Sequence, residues 1–88
     1  MTVFVPGPLR SYTRNASEAL AEGETLDELL RNLDRQFPGM RFRMVDEQGG
    51  IRPHIKLFVN AEQAATTAKS LSHGDQIHII CALSGGSQ

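Results

Sequence analysis

The chain has 88 residues, with nine Lys and Arg against ten Asp and Glu, a formal net charge of -1, and one cysteine. Its length predicts a single domain, and a lone cysteine excludes a disulfide framework or a cysteine-based zinc site. The balanced charge excludes the basic surface of a nucleic-acid-binding protein, and no apolar run approaches the roughly 20 residues of a membrane span.

The start of the sequence lacks a basic segment followed by a long apolar stretch, so we expect a cytoplasmic protein. A domain of this size must be stabilised by burial alone, and its core leaves little room for an internal active-site cleft. These features favour a carrier or binding module over an enzyme.

The first half of the chain predicts two short strands and one helix. Residues 2–5 form a β-prone run that ends at a Pro-Gly-Pro sequence, and residues 14–19 have the spacing of a return strand, although they are poor strand formers. Residues 25–37 predict the helix, which Thr25 and Glu28 open with a capping-box sequence. The apolar side chains that share one face of it are Leu26, Leu29, Leu30, Leu33 and Phe37.

The second half predicts further strand pieces. Residues 41–45 lead into a loop or hairpin turn at residues 46–50, and residues 55–60 alternate apolar and polar side chains, which is typical of a strand with one buried face. Residues 61–68 are expected to be irregular, with a short edge strand near Thr66 and Thr67.

Residues 76–83 predict the last strand, with Ile77 and Ile79 on one face and His78 and Ile80 on the other. The elements together predict an α+β fold, in which a mixed sheet packs on one main helix. Strands before and after the helix suit a β-grasp arrangement, with the last strand beside the first. We expect a folded domain over residues 1–83 and a flexible tail over residues 84–88.

Two consecutive glycines stand near the end of the chain. Gly85 and Gly86 follow Leu83 and Ser84 after the predicted last strand. Glycine and serine are common in frayed termini, which is the structural explanation. The functional explanation is an arm that enters a partner's active site, because glycine passes through narrow channels and adopts backbone angles that other residues avoid.

Six short sequences, spaced along nearly the whole chain, match the pattern of a known family. They are residues 5–10 (VPGPLR), 37–40 (FPGM), 46–50 (DEQGG), 58–60 (FVN), 74–77 (GDQI) and 82–86 (ALSGG). In this order the chain resembles the β-grasp sulfur carriers, which are ubiquitin-like in fold. The group includes the small subunit of molybdopterin synthase, the thiamine-pathway carrier and the carrier of a cysteine-synthase-linked route.

The resemblance implies a protein co-substrate and not an enzyme. Gly86 would be adenylated by an E1-like ATP-dependent enzyme, converted to a thiocarboxylate, and would then donate sulfide to a sulfur-accepting synthase. The chain itself would carry no catalytic residue, no metal ligand and no bound cofactor, because ATP and the sulfur donor are used by the partner. The acceptor stays open among molybdopterin, cysteine, thiamine and secondary-metabolite routes.

Two residues after the glycine pair depart from the family pattern. The family's diglycine is usually terminal, whereas Ser87 and Gln88 follow here, so Gly86 is an internal amide that cannot be adenylated. We expect a precursor that is cleaved between Gly86 and Ser87, and carriers with extended tails imply a JAMM-type zinc metalloprotease for this step. The alternatives are a carrier-like domain that has lost the chemistry, or two residues added by cloning.

A partner docking surface is expected on the sheet face away from the helix. Ile80 and Phe58 are the predicted apolar anchors, and Arg10, Arg52 and Lys56 are candidates for a rim that sets orientation and association rate. The alternative is that loops cover these side chains.

The remaining chemically capable side chains predict no site. Cys81 stands where the family commonly has Pro, and it is expected to be a small, half-buried residue in a strand. His54, His73 and His78 lack the spacing of metal ligands and are expected to be surface residues.

Two other functions stay open beside the sulfur carrier. A ubiquitin-like modifier would be joined to protein lysines through Gly86, and a non-catalytic interaction subunit would use its tail only for docking.

Overall fold

The sheet is organised around two strands that come from opposite ends of the chain. The computed structural model describes residues 1–82. Its strands are β1 (Thr2–Phe4), β2 (Glu18–Leu20), β3 (Ile55–Val59), β4 (Glu62–Gln63) and β5 (Gln76–Cys81). Their order in the sheet is β2-β1-β5-β3-β4, in which β5 is parallel to β1 and antiparallel to β3. The last strand therefore lies beside the first, which confirms the predicted α+β β-grasp topology.

The main helix, α1 (Leu26–Gln36), begins at the predicted capping residue. The backbone N–H of Glu28 donates to Thr25 Oγ1 at 3.2 Å, so one of the otherwise unpaired amides of the first turn is satisfied. The Glu28 carboxylate accepts from the backbone N–H of Glu24 at 2.8 Å, one residue before the position that a standard capping box uses. The sequence therefore predicted the capping residue correctly. The second hydrogen bond of the capping box was expected at the Thr25 amide and forms at the Glu24 amide.

The core lies between α1 and one face of the sheet. All four leucines of α1 are fully buried, and they share the core with the alternate residues of the central strands. These strand residues are Val3, Ile55, Leu57, Val59, Ile77 and Ile79. The alternation expected for β3 and β5 is thus confirmed, because each buried position is followed by one that is at least partly exposed.

A second helix, α2 (Met40–Met44), was not predicted. The apolar residues of this segment alternate, which is a strand pattern, but the helix buries Met40 and Met44 four residues apart and leaves Phe42 55% exposed. Gly39 precedes α2 with a φ of +94°, in the left-handed region that glycine adopts without strain. Among residues 1–82, no helix is both long and apolar enough to cross a membrane.

The prediction of an edge strand near Thr66 and Thr67 is wrong. The edge strand is β4, which pairs with Phe58 and Val59 of β3 directly after a tight turn. Asn60 has a φ of 56° in that turn, and asparagine tolerates the left-handed region better than most residues. The chain therefore reverses several residues earlier than the composition of the segment indicated.

The return strand β2 is shorter than predicted. It covers Glu18–Leu20, whereas Arg14 and Asn15 adopt positive φ values of 55° and 68° and form a turn. The turn predicted at residues 46–50 is confirmed: Asp46 Oδ1 accepts the backbone amides of Gln48 and Gly50, both at 2.9 Å.

We expect Leu30→Ala to lower the free energy of unfolding by roughly 2–5 kcal/mol, because it leaves a cavity where the side chain has no exposed surface. The matched control is Leu20→Ala, since Leu20 is 69% exposed and should change stability by less than about 0.5 kcal/mol. Equilibrium urea unfolding measures both. Equal losses in the two variants would contradict the assignment of the core to this face.

The stabilisation that Asp27 provides between α1 and α2 should be lost at acid pH. Hydrogen bonds from Arg31 (2.8 Å) and Arg41 (3.2 Å) lower the pKa of Asp27, with the Arg31 bond as the largest cause. A lowered folded-state pKa stabilises the fold above the unfolded pKa of about 4, and this stabilisation is lost as pH falls through the folded value.

Asp27→Asn should therefore be less stable than the unmodified protein at pH 7, and the difference should vanish well below about pH 4. Urea unfolding across this pH range measures it, with Glu47→Gln as the control, because Glu47 is exposed and forms no ion pair within residues 1–82. A stability difference that stayed constant down to the lowest pH would contradict this account.

Candidate functional site

The start of β5 is held in position by the turn that precedes it. The Asp75 carboxylate accepts from the Ser72 backbone N–H at 2.7 Å and from Asn60 Nδ2 at 3.1 Å. These hydrogen bonds, the one from Ser72 first, lower the pKa of Asp75. Asn60 Oδ1 also accepts from the backbone N–H of Gln76 at 3.0 Å, so one side chain ties the β3–β4 turn to the first residue of β5.

The far end of β5 is fixed as well. Cys81 pairs with Ile55 in the β3–β5 ladder, and the backbone N–H of Ala82 donates to the carbonyl oxygen of His54 at 2.7 Å. The chain is thus anchored by hydrogen bonds up to Ala82, the last residue that the structure describes.

The predicted tail residues follow that anchored end in the sequence. Leu83, Ser84, Gly85 and Gly86, and Ser87 at the expected cleavage site, lie outside the described residues. Their proposed roles therefore rest on the sequence, and the structure describes only the residues that precede them.

The outer sheet face, away from the helices, carries a row of ring side chains. In the strand register, Phe4 lies beside His78, and His78 lies beside Phe58. The rings of Phe4 and His78 stack with centroids 4.5 Å apart and an interplanar angle of 10°. Ile80, on the same face of β5, is 45% exposed. The structure therefore places both predicted apolar anchors, Phe58 and Ile80, on this face.

Arg10 borders the outer sheet face. Its Nε donates to the carbonyl oxygen of Val5 at 3.1 Å, and it lines a surface groove of about 260 Å³ together with Phe4, His78 and Ile80. The guanidinium is thus oriented by the loop that follows β1, next to the apolar row.

The rim predicted for this face is only partly correct. Lys56 pairs with Ile80 in the register and is exposed on the outer sheet face beside it. Arg52 instead stacks over the ring of Phe42 in α2, with its guanidinium carbon 4.5 Å from the ring centroid. Arg52 therefore belongs to the helix side of the sheet.

The cysteine and the histidines form no metal-binding cluster in the described part of the chain. Cys81 is a half-buried free thiol that packs against the core, as expected from its place in the strand. No group of three His, Cys, Asp or Glu residues within residues 1–82 could hold a metal ion. Sequence reasoning missed the stacking of His78 on Phe4, because only the parallel β1–β5 pairing brings the two rings together.

Comparisons with known proteins agree with this architecture. The model of the ThiS family matches residues 3–86. The sulfur carrier protein CysO of Mycobacterium tuberculosis is 28% identical over 91 residues that cover 98% of each chain, and the CysO of Mycobacterium bovis matches equally.

Solved structures show the same fold. The crystal structure of Mycobacterium tuberculosis CysO superposes with a TM-score of 0.87 at 26% identity, covering 93% of this chain and 98% of that one. A chain of the Amycolatopsis orientalis BexX/CysO complex superposes with a TM-score of 0.89 at 27% identity, covering 97% and 98%. SAMP1 from Haloferax volcanii shares the fold at a TM-score of 0.76 and 22% identity, covering 97% of each chain.

The family match runs through both glycines of the tail, and the homology to CysO extends over nearly the whole of each chain. The chain therefore belongs to the ThiS family, which confirms the prediction of a ubiquitin-like β-grasp sulfur carrier protein.

Proposed function

We propose that this protein carries sulfur as a thiocarboxylate on Gly86, after Ser87 and Gln88 have been removed. The observation that carries the proposal is the ThiS-family match through Gly86, on a fold whose last strand is anchored up to Ala82. Four residues separate Ala82 from the end of Gly86, and fully extended they reach at most about 14 Å. That length is sufficient to bring a terminal carboxylate into a partner's active site.

The chemistry requires a free carboxylate at Gly86. A peptidase, proposed to be a JAMM-type zinc metalloprotease, adds water across the Gly86–Ser87 amide and releases the dipeptide Ser-Gln. An E1-like enzyme then joins the new carboxylate to the α-phosphate of ATP and releases pyrophosphate. Sulfide supplied by the sulfur donor attacks the acyl carbon of this acyl adenylate, releases AMP and leaves the thiocarboxylate. Transfer of the sulfide to an acceptor, with water, restores the carboxylate.

The chain contributes the carboxyl group and the recognition, and the partners contribute the catalysis. ATP and the sulfur donor are substrates of the adenylating enzyme, so this chain needs no cofactor of its own. It is a co-substrate, regenerated after each transfer.

The outer sheet face is the proposed docking surface for the adenylating enzyme. Ile80 is two residues before Ala82 and is 45% exposed. A partner that contacts Ile80 therefore also lies close to Ala82, after which the predicted tail begins. Partly exposed Phe4, Phe58 and His78 extend the contact along the row. Arg10 borders the same groove and supplies a positive charge at its rim. An apolar centre with a charged rim is the usual anatomy of a protein–protein interface.

The named relatives support the docking and the route. CysO of Amycolatopsis orientalis was solved in a complex with BexX, which supports the view that this chain also binds a partner protein. The resemblance of this chain to CysO favours a cysteine-type or secondary-metabolite compound as the sulfur acceptor over molybdopterin. The likeness to SAMP1 concerns the fold alone and does not favour conjugation to lysines.

Incubation of the full chain with the peptidase, the E1-like enzyme, ATP and a sulfur source should shift its intact mass. We expect loss of Ser87 and Gln88 and replacement of one oxygen by sulfur at Gly86. Gly86→Val should slow charging on the order of 100-fold, because a branched side chain displaces the carboxyl group in a narrow channel. The matched control is Ser84→Ala, which leaves both glycines in place.

Retention of Ser87 and Gln88 with no sulfur incorporated would overturn the proposal. Gly-Gly remnants on lysines of other proteins, without a thiocarboxylate, would favour the modifier function instead. Full activity after deletion of residues 86–88 would favour an interaction subunit.

Ile80→Asp should lower the kcat/KM of adenylation at least tenfold, because a carboxylate at the centre of an apolar contact must be desolvated. The matched control is Leu20→Asp, because Leu20 is 69% exposed on the same sheet face but lies two strands from β5. It is beside Thr2, which pairs with Gln76 at the opposite end of β5 from Ile80. Steady-state adenylation below the KM for the carrier measures both variants. Equal losses would show that the outer sheet face acts through net charge and not through a specific contact.

A further inference from the structure

We infer that a second docking surface, on the helix side of the last strand, binds an acidic segment of the protein that receives the tail. The inference rests on the proposed function and adds the chemistry of one partner contact. We call this region the tail-base surface. Its members are Tyr12, Phe42, Arg43, Arg52 and His54.

The tail-base surface adjoins the end of β5. Two neighbouring grooves of about 180 Å³ and 200 Å³ share Arg43 and His54, and the second groove reaches Cys81. The carbonyl oxygen of His54 accepts from the backbone N–H of Ala82 at 2.7 Å. A partner that contacts Cys81 and Ala82 from this side therefore meets Arg43 first, and Arg52 lies in the adjoining groove.

The two arginines are oriented in the same way. Arg43 Nε donates to the hydroxyl oxygen of Tyr12 at 2.7 Å, and Arg52 Nε donates to the carbonyl oxygen of Phe42 at 2.7 Å. Each guanidinium also lies near an aromatic ring, at 5.9 Å from the Tyr12 centroid and 4.5 Å from the Phe42 centroid. Each Nε is thus bonded to another group of the protein, whereas the terminal Nη atoms form no hydrogen bond within residues 1–82 and can donate to an outside acceptor.

Neither arginine forms an ion pair with a carboxylate within residues 1–82. Arg31 and Arg41, by contrast, both pair with Asp27. The pKa of Asp46 is lowered, mainly by hydrogen bonds from the backbone amides of Gly50 and then Gln48. The charge of Arg52 is a smaller cause of this lowering. Among the described residues, Arg43 and Arg52 are thus two oriented positive charges without a salt-bridge partner, in a protein whose net charge is -1.

This arrangement fits carboxylates better than other partners. A guanidinium fork binds a carboxylate through two parallel hydrogen bonds, and prior fixation of the side chain lowers the entropy lost on binding. The Phe42 ring, 55% exposed beneath Arg52, adds an apolar contact for a neighbouring side chain. Asp or Glu residues beside an apolar residue are therefore the complementary sequence.

The tail-base surface and the outer sheet face lie on opposite sides of β5. Successive side chains of a strand point to opposite faces, so Ile80 faces outward and Cys81 faces the core and the tail-base surface. A partner that binds both surfaces contacts the end of β5 from two sides. Binding of this kind would fix the direction in which the tail leaves the domain.

Binding of a fluorescently labelled glutamate-rich peptide to the full chain tests the inference. Arg43→Gln combined with Arg52→Gln should weaken binding about tenfold or more, and added salt should weaken binding to the unmodified protein. The matched control is Arg31→Gln combined with Arg35→Gln, which removes the same charge from the exposed face of α1. Arg43→Lys combined with Arg52→Lys keeps both positive charges but lacks the planar guanidinium groups. This variant should also bind the peptide more weakly than the unmodified protein.

Equal binding by the glutamine double variant and the control would overturn the inference. So would equal binding by the lysine variant, or tight binding of a glutamine-rich peptide. Binding of inorganic phosphate alone, without the peptide, would reassign the surface to a small anion. Thermal unfolding of each variant checks that the fold is retained.

The peptide measurement uses neither ATP nor a processing enzyme, so it stands even if Gly86 is never charged. In the sulfuration assay, the glutamine double variant should raise the KM for the carrier about tenfold and leave kcat unchanged. Failure of the unmodified chain to be charged would instead overturn the proposed function.

Discussion

The parallel pairing of β1 with β5 is the contact on which the rest of the structure depends. Val3 and Ile77 face each other in this pair and are both fully buried. Parallel strands require a crossover connection, and here the crossover contains both helices. Because β5 also pairs with β3, it lies in the interior of the sheet. Its first half is paired on both sides, and its end, from Ile79 to Cys81, is held by β3.

This central position gives the end of the chain two different surroundings. On the outer sheet face, Phe4, Phe58, His78 and Ile80 form an apolar row with Arg10 at its margin. On the helix side, α2 brings Arg43 next to Cys81, and the loop before β3 places Arg52 in the adjoining groove. The proposed function places the chemistry beyond Ala82, so the surfaces that flank the end of β5 are the natural places for partner recognition.

The site could be predicted from the sequence only as far as local patterns extend. Strand alternation placed Ile80 and Phe58 on the outer sheet face, since the period of a strand follows from the backbone itself. It did not place Arg52, because the side of the sheet that a loop residue faces depends on α2, whose alternating apolar residues do not have a helical pattern. The stacking of His78 on Phe4 joins residues far apart in the sequence, so no local pattern encodes it.

The sequence by itself determined the main helix, its cap, the alternation of the central strands and the family of the chain, because each depends on residues close together or on motifs in order. The proposed role of Gly86 also rests on the sequence, since the described residues end at Ala82. Only the tertiary structure decided that α2 is a helix, that the edge strand is Glu62–Gln63, and that two arginines converge beside the end of β5. These features arise from burial and pairing between distant segments, which override local propensity in a domain with so small a core.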